Sequence, residues 1–198
     1  ELICKKKFYK KFFTKIKFHA IKSSDSIYFY DFETQTFLRN IDVSANNIIW
    51  NENKTTFAIL SDDQIYILKC NNESIEKYIE ENEGKLQIDE GCEEGFEAVC
   101  EINDIATGGF FIDDIFIYVN NKNKLNYAIE DKIFSITTLN SNYLLLGYLS
   151  SLNRIYLMDK SHNVISYSFP ISFINYQMKI LKGDLNGAKK VRRFFSFS

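Results

Sequence analysis

Apolar and polar residues alternate with a period of two from about Ile16 to Phe169, in short runs interrupted by Asn, Asp, Ser and Gly. Runs of this kind, rich in β-branched and aromatic residues, predict β-strands. The predicted strands lie at 15–21, 26–32, 36–43, 46–51, 55–60, 64–70, 96–102, 108–113, 115–120, 124–129, 132–138, 143–149, 153–159 and 163–169. Most connections are short and turn-forming, so successive strands should pair antiparallel, with no room for crossover helices.

From residue 46 onward the strands fall into groups of four, each with an apolar strand, a tight Asp or Asn turn and an aromatic strand. The groups span 46–102 and 108–138, and a third group, 143–169, lacks its fourth strand. This repeat predicts a mainly β protein with four-stranded antiparallel blades of a WD40-type β-propeller, although the usual Gly-His and Trp-Asp marks are missing. Propellers close with about 4 to 8 blades. We therefore expect a partial, open propeller, and a chain that begins with Glu1 is expected to be a fragment.

The pattern changes after Phe169, where Pro170, the one proline of the chain, stands at a position that suits the start of a helix. Gly183 is predicted to end this helix and Asp184 to cap the next one. Between Pro170 and Gly183, four apolar residues follow helical spacing: Ile171, Ile174, Met178 and Leu181. We take Ile174, Met178 and Leu181 as candidate contacts with partner proteins, because repeat structures cannot bury their faces alone.

The formal net charge is −2 and the isoelectric point is near 5.8, so there is no overall basic excess of the kind that drives nucleic-acid binding. Charge is nevertheless uneven: residues 1–22 are rich in lysine and 73–104 are strongly acidic. The run KKKFYKKFFTKIKF, from Lys5 to Phe18, could bind single-stranded nucleic acid or anionic lipid, but a basic loop or edge strand is the favoured interpretation. The acidic insertion 71–95 is predicted to be a solvated loop with a helical turn, and a docking site for a basic partner is the alternative.

The four cysteines, at positions 4, 70, 92 and 100, have no spacing typical of a zinc site. They are best interpreted as reduced thiols of a cytosolic protein. The longest apolar run, 143–149, is far shorter than the roughly 20 residues that span a bilayer. Membrane association is therefore expected to be peripheral or through partners.

The sequence shows no catalytic pattern. His19 falls in a predicted strand and His162 in a turn, and neither has a nucleophile near it in sequence. The pairs Asp62–Asp63 and Asp113–Asp114 fall at predicted turns, where Asp is favoured for its bonds to nearby backbone. Gly108 and Gly109 are attributed to close packing near the propeller axis. We therefore predict no enzymatic activity, cofactor, metal site or small-molecule substrate.

Most of the chain, about residues 26–191, resembles the coatomer WD-associated region. The segments that carry the resemblance are SIYFYDFETQTFLRNIDV, IIWNENKTTFAILSDDQIYILK, GFEAVCEINDIATGGFFIDDIFIYVNNKNKLNY and YLLLGYLSSLNRIYLMDKSHNVISYSFPISFINYQMKILKGDLNGAKKV. Within that family, the stretch from Tyr143 to Gln177 is most similar to beta-prime subunits and less similar to alpha subunits.

The resemblance implies that 1–169 form the later part of a second β-propeller and that 170–198 begin an α-solenoid. It also implies a structural role in the COPI vesicle coat, in Golgi to endoplasmic reticulum retrograde and intra-Golgi transport. The expected partners are other coatomer subunits, alpha among them, on the cytosolic side of the Golgi membrane. Dilysine cargo is bound in this family mainly by the first propeller, so no cargo-binding residue is assigned. An interaction propeller of another trafficking assembly and a nucleic-acid or lipid binder are the alternatives.

Overall fold

The computed structural model describes residues 18–86, 90–129, 131–181 and 183–189. Its strands are β1 (Phe18–Lys22), β2 (Ile27–Asp31), β3 (Thr36–Ile41), β4 (Ala45–Trp50), β5 (Thr56–Ser61), β6 (Ile65–Cys70), β7 (Phe96–Ile102), β8 (Ala106–Ile112), β9 (Ile115–Asn120), β10 (Lys124–Ile129), β11 (Lys132–Thr138), β12 (Leu144–Leu149), β13 (Arg154–Met158) and β14 (Val164–Ser168). The helices are α1 (Asn72–Asn82) and α2 (Ile171–Leu181), followed by a short helical segment at 185–189.

All the predicted strands are found, with bounds that shift by at most two residues wherever both ends lie among the described residues. The first predicted strand, 15–21, begins outside the described residues. The basic run from Lys5 to Phe18 lies outside them except for Phe18. Cys4 and residues 190–198 also lie outside them.

The strands form four antiparallel sheets in which neighbours in sequence are neighbours in space. The first sheet is β1-β2-β3, the second β4-β5-β6-β7, the third β8-β9-β10-β11 and the fourth β12-β13-β14. The grouping into fours and the incomplete last group are thus confirmed. The first strands of the later sheets are adjacent, since β8 contacts both β4 and β12. This is the arrangement of propeller blades around a common axis, and the chain forms a partial propeller.

The sheets stack face to face because their central strands are apolar on both faces. In β5, Phe57 and Ile59 pack towards the first sheet. Ala58 and Leu60, which alternate with them, pack towards the third sheet. All six residues of β5 are buried, so the strand contributes to two cores at once. A strand buried on both faces reads as a continuous apolar run, which is what the sequence shows here.

The same alternation joins the third and fourth sheets. Ile115, Ile117 and Val119 of β9 share a core with Ile155 and Leu157 of β13. Phe116 and Tyr118, on the other face of β9, pack against the second sheet. Each pair of neighbouring blades therefore has its own apolar core, and no single core spans all four sheets.

The acidic insertion is more ordered than the sequence analysis predicts. Its first half is α1, an 11-residue helix of about three turns, where a loop with one helical turn was expected. Asn71 caps it, its side-chain oxygen accepting a hydrogen bond from Ser74 N–H at 3.3 Å. Ile75 is fully buried, and Tyr78 and Ile79 pack against the core between the first two sheets. The prediction failed because three apolar residues on one helix face are enough to anchor a segment whose other positions are charged.

Candidate interaction surfaces

Helix α2 begins directly after the last blade. The Pro170 carbonyl accepts hydrogen bonds from Phe173 N–H at 2.9 Å and Ile174 N–H at 3.3 Å, so the proline stands at the start of the first turn. At the other end, Gly183 has φ +73°, a conformation in which a Cβ is strained. Asp184 Oδ1 accepts from Gly187 N–H at 2.8 Å and caps the short helical segment that follows. The predicted roles of these residues as start, stop and cap are confirmed.

The three candidate contact residues of α2 face the blades. Ile174 is 3% exposed and belongs to the core between the third and fourth sheets. Met178 and Leu181 are half-buried and pack against the same core. A further link runs from Tyr127 on β10, whose hydroxyl donates to Gln177 Oε1 at 3.0 Å. These side chains hold α2 against the propeller, and a direct role in partner contact remains a prediction.

The outward face of the helical part is apolar as well, and sequence reasoning missed it. Phe173 and Ile180, seven residues apart on α2, are 47% and 43% exposed. Leu185, on the next helical segment, is 62% exposed. The signal that would have revealed this face is a second helical stripe at i and i+7, on a different side of the helix from the first one. Apolar side chains that are exposed along one helix face, as Phe173 and Ile180 are, are typical of protein-contact surfaces.

A second candidate surface is formed by the acidic insertion. The side chains that share it are exposed carboxylates on α1, on the residues between α1 and β7, and at the start of β7: Glu73, Glu76, Glu80, Glu81, Glu83, Glu90, Glu93, Glu94 and Glu97. One exposed ion pair joins Glu90 Oε2 to Arg39 on β3 at 3.6 Å. Burial of the apolar face of α1 directs the remaining charges outward into solvent.

The residues that could have suggested catalysis are spread over the described part of the chain. His19 lies at the edge of the first sheet, with its ring 5.0 Å from that of Phe32. His162 lies in the exposed β13–β14 turn with φ +65°. The two Asp pairs occupy turns, as predicted: Asp113 has φ +51°, and Asp62 accepts from Asn46 Nδ2 at 2.7 Å. No nucleophile and base are brought together among these residues.

One carboxylate that sequence reasoning missed is the centre of a polar network. Asp104 lies between β7 and β8 and accepts hydrogen bonds from Tyr118 Oη at 3.1 Å, Asn120 Nδ2 at 3.0 Å and Asn126 Nδ2 at 3.4 Å. Burial, reinforced by the negative charge of Asp104, raises the pKa of Tyr118 far above its usual value. The hydroxyl therefore stays protonated and continues to donate. This network ties the link between two blades to the strands of the third blade, which is a structural role.

A polar cleft of about 440 Å³ lies near the turns of the third and fourth sheets. Its lining residues are Asn123, Ser141, Asn142, Asp159, Lys160 and Ser161. Hydrogen bonds from Asn163 and Ser161 lower the pKa of Asp159, which keeps this turn carboxylate ionised. The residues are those of ordinary Asx turns, since Asp159 also accepts from the backbone N–H of both residues.

Two further observations concern the described residues as a set. They contain no group of three or more His, Cys, Asp or Glu side chains placed to hold a metal ion. Nor does any helix among them have the length and apolar character needed to cross a membrane.

Comparison with known proteins identifies the blades. The model of the COPA/B second beta-propeller matches residues 19–159. Coatomer subunit beta'-1 of Oryza sativa subsp. japonica is 37% identical over 172 residues, which are 87% of this chain and 19% of that protein. Coatomer subunit beta' of Drosophila melanogaster is 33% identical over 174 residues, 88% of this chain and 19% of that protein.

A solved structure, that of the computationally designed Ika4 protein, superposes with a TM-score of 0.52 over 80% of this chain and 88% of that one. At 12% sequence identity, this likeness shows the fold alone. The chain spans about a fifth of the length of the curated relatives it matches. Since the family model covers residues 19–159, well over half of the sequence, the chain belongs to the COPA/B second beta-propeller family.

Proposed function

We propose that this chain is a structural part of a COPI coat subunit, in which it acts through protein–protein contacts and performs no chemistry. The observation that carries the proposal is its similarity to coatomer beta' subunits, 33–39% identical over most of the chain. The transport steps served are Golgi to endoplasmic reticulum retrograde transport and traffic within the Golgi.

The geometry supports a scaffold for a physical reason. Stacked blades give an extended surface with little relative motion, because each pair of sheets shares an apolar core. Repeat structures bind partners through such extended surfaces. Three carboxylates that could have suggested a catalytic site, Asp62, Asp104 and Asp159, instead accept hydrogen bonds at turns or in networks that fix the fold.

In the proposed domain organisation, residues 1–169 form the later part of the second propeller and 170–198 begin an α-solenoid. The change from strand to helix at Pro170 and the packing of Ile174 on the last blades support this boundary. The proposed partners are other coatomer subunits, the alpha subunit among them, bound through the outward face of α2 and the exposed blade edges. The proposed location is the cytosolic side of the Golgi membrane, reached through the coat.

The proposal is tested by affinity capture of the full-length protein that contains this chain. Recovery of other coatomer subunits from a cell extract, and location at the Golgi, are the expected results. If trafficking proteins of another assembly are recovered and no coat subunit is, the proposal is wrong.

A pair of variants tests the contact surface on α2. The double variant Phe173→Asp with Ile180→Asp places charge on the outward face, and we expect it to reduce recovery of coat subunits. The control is Leu152→Asp, a charge at an exposed position of the connection between β12 and β13, which should leave recovery unchanged. Equal recovery with both proteins would contradict the assignment of this surface.

A further inference from the structure

Two described stretches of the acidic insertion, 84–86 and 90–92, contact the outer edge of β3. Gly84 N–H donates to Thr36 Oγ1 at 3.2 Å, and Phe37 N–H donates to the Lys85 carbonyl at 2.9 Å. Further along, Asn40 N–H donates to the Glu90 carbonyl at 3.2 Å. We call the described residues 84–86 and 90–92 the strap.

The far end of the strap pairs with β3 through a single antiparallel bridge. Gly91 forms an antiparallel bridge with Arg39, and Cys92 N–H donates to the Leu38 carbonyl at 2.6 Å. The first sheet ends at β3 on this side. The strap therefore occupies backbone groups that an edge strand would otherwise present to other chains.

The strap is fixed at both ends by packing. Before it, Ile75 of α1 is buried in the core that joins the first and second sheets. At its end, Cys92 is 6% exposed, and its thiol lies 3.7 Å from the Ser74 carbonyl. The insertion leaves the second sheet at Cys70, crosses to the first sheet and returns at Phe96, and these two residues are themselves paired across β6 and β7. A hairpin turn could make that connection in a few residues, so the excursion to β3 is additional.

We propose that the strap is a built-in blocking strand: it occupies the outer edge of β3 and so prevents an extended segment of another chain from adding to the first sheet. Strand addition to an exposed edge is a general mode of peptide binding, in which backbone hydrogen bonds supply affinity. Natural proteins commonly cover or distort such edges. The proposal concerns this edge alone and does not depend on membership of the coat.

Two glycines of the strap provide a matched test. Both have positive φ, +75° at Gly84 and +82° at Gly91. A Cβ at Gly84 meets nothing within 4 Å, whereas a Cβ at Gly91 lies 2.2 Å from the Leu38 carbonyl oxygen and 2.9 Å from Arg39 Cα. Gly84→Ala and Gly91→Ala therefore introduce similar backbone strain, but only Gly91→Ala pushes the strap away from β3 backbone.

The first measurement is amide hydrogen exchange of residues 36–41 in the full-length protein. In Gly91→Ala we expect exchange at Phe37 and Asn40 to be about tenfold faster or more, because their acceptors on the strap move away. In Gly84→Ala, exchange should stay within about twofold of the parent protein. Equal protection in the parent and in Gly91→Ala would overturn the proposal.

The second measurement asks whether the opened edge accepts a strand. The probe is a fluorescent synthetic peptide with the sequence of residues 84–92, and a scrambled peptide is its control. We expect the native-sequence peptide to bind Gly91→Ala and a variant in which 71–95 is replaced by an Asn-Gly turn, but not the parent protein or Gly84→Ala. Faster exchange in Gly91→Ala without peptide binding to it would show that the strap orders β3 without blocking it, and the proposal would be wrong. If the turn variant does not fold, the Gly91→Ala result decides.

Discussion

The hydroxyl of Tyr118, in the middle of the third blade, donates a hydrogen bond to Asp104 Oδ2 at 3.1 Å, and Asp104 lies on the link from the second blade. The contact joins elements that neither period-two alternation nor turn signals would associate. It places a carboxylate among three donors, those of Tyr118, Asn120 and Asn126. Because a buried donor without an acceptor is costly, the link between these two blades has one favoured position.

Replacing this carboxylate should weaken the third blade. We expect Asp104→Ala to lower the free energy of unfolding by about 2–3 kcal/mol, since Tyr118 and both asparagines lose their acceptor. Urea unfolding followed by far-UV circular dichroism measures the change. Asp25→Ala, at an exposed position between β1 and β2, is the control and should stay within about 0.5 kcal/mol of the parent. A similar small loss for both variants would show that the network contributes little.

The adjacent glycines of β8 should respond differently to the same substitution. A Cβ at Gly109 would lie 2.5 Å from Phe116 Cζ and 2.8 Å from the Ile117 carbonyl oxygen, whereas one at Gly108 meets nothing within 4 Å. We expect Gly109→Ala to destabilise the protein by about 1–3 kcal/mol through overpacking. Gly108→Ala should change stability by less than about 0.5 kcal/mol. Thermal unfolding of both variants checks this, and equal melting temperatures would refute the prediction.

Two isoleucines of α2 distinguish its inward from its outward face. Ile174 is 3% exposed and Ile180 is 43% exposed. We expect Ile174→Ala to cost about 2–4 kcal/mol, because it leaves a cavity between α2 and the last blades. Ile180→Ala removes the same atoms from a site that is partly in water and should cost about 1 kcal/mol or less. Chemical denaturation gives both values, and a larger cost at Ile180 would contradict the observed packing of α2.

Stability should fall at alkaline pH, in part because of one buried thiol. Burial raises the pKa of Cys70 from 9.0 to about 12. The folded state thus keeps a proton that the unfolded state loses, so stability is full below about pH 9 and declines as pH rises towards 12. One such proton corresponds to a slope of about 1.4 kcal/mol per pH unit.

The test compares urea midpoints of the parent and Cys70→Ala at pH 8 and pH 10. Cys70→Ala should be less stable at both values, because it loses packing, but its stability should depend less steeply on pH. Other groups whose pKa burial raises, Cys92 and Tyr127 among them, act in the same direction in both proteins. The difference in slope therefore isolates Cys70, and parallel slopes would contradict its assignment.

Local sequence signals were sufficient wherever a single element decides the structure. The short apolar runs of β5 and β9 predicted strands, and Pro170, Gly183 and Asp184 marked helix boundaries that the structure confirms. The prediction that both Gly108 and Gly109 serve close packing holds for Gly109 only. The two residues are indistinguishable by sequence, because alternate strand residues face opposite sides and the neighbours on each side belong to distant segments.

The sequence by itself determined the mainly β class, the grouping of strands into blades and the change to helix after residue 170, because these depend on periodicity and turn residues along the chain. Only the tertiary structure decided that α1 packs between two sheets, that residues 84–86 and 90–92 lie along β3, and that Asp104 holds three donors. The tertiary structure also decided that Ile174 faces the core between the third and fourth sheets. These features join residues far apart in sequence, such as Arg39 and Gly91, and an alternating pattern carries no information about which distant groups will satisfy one another's hydrogen bonds.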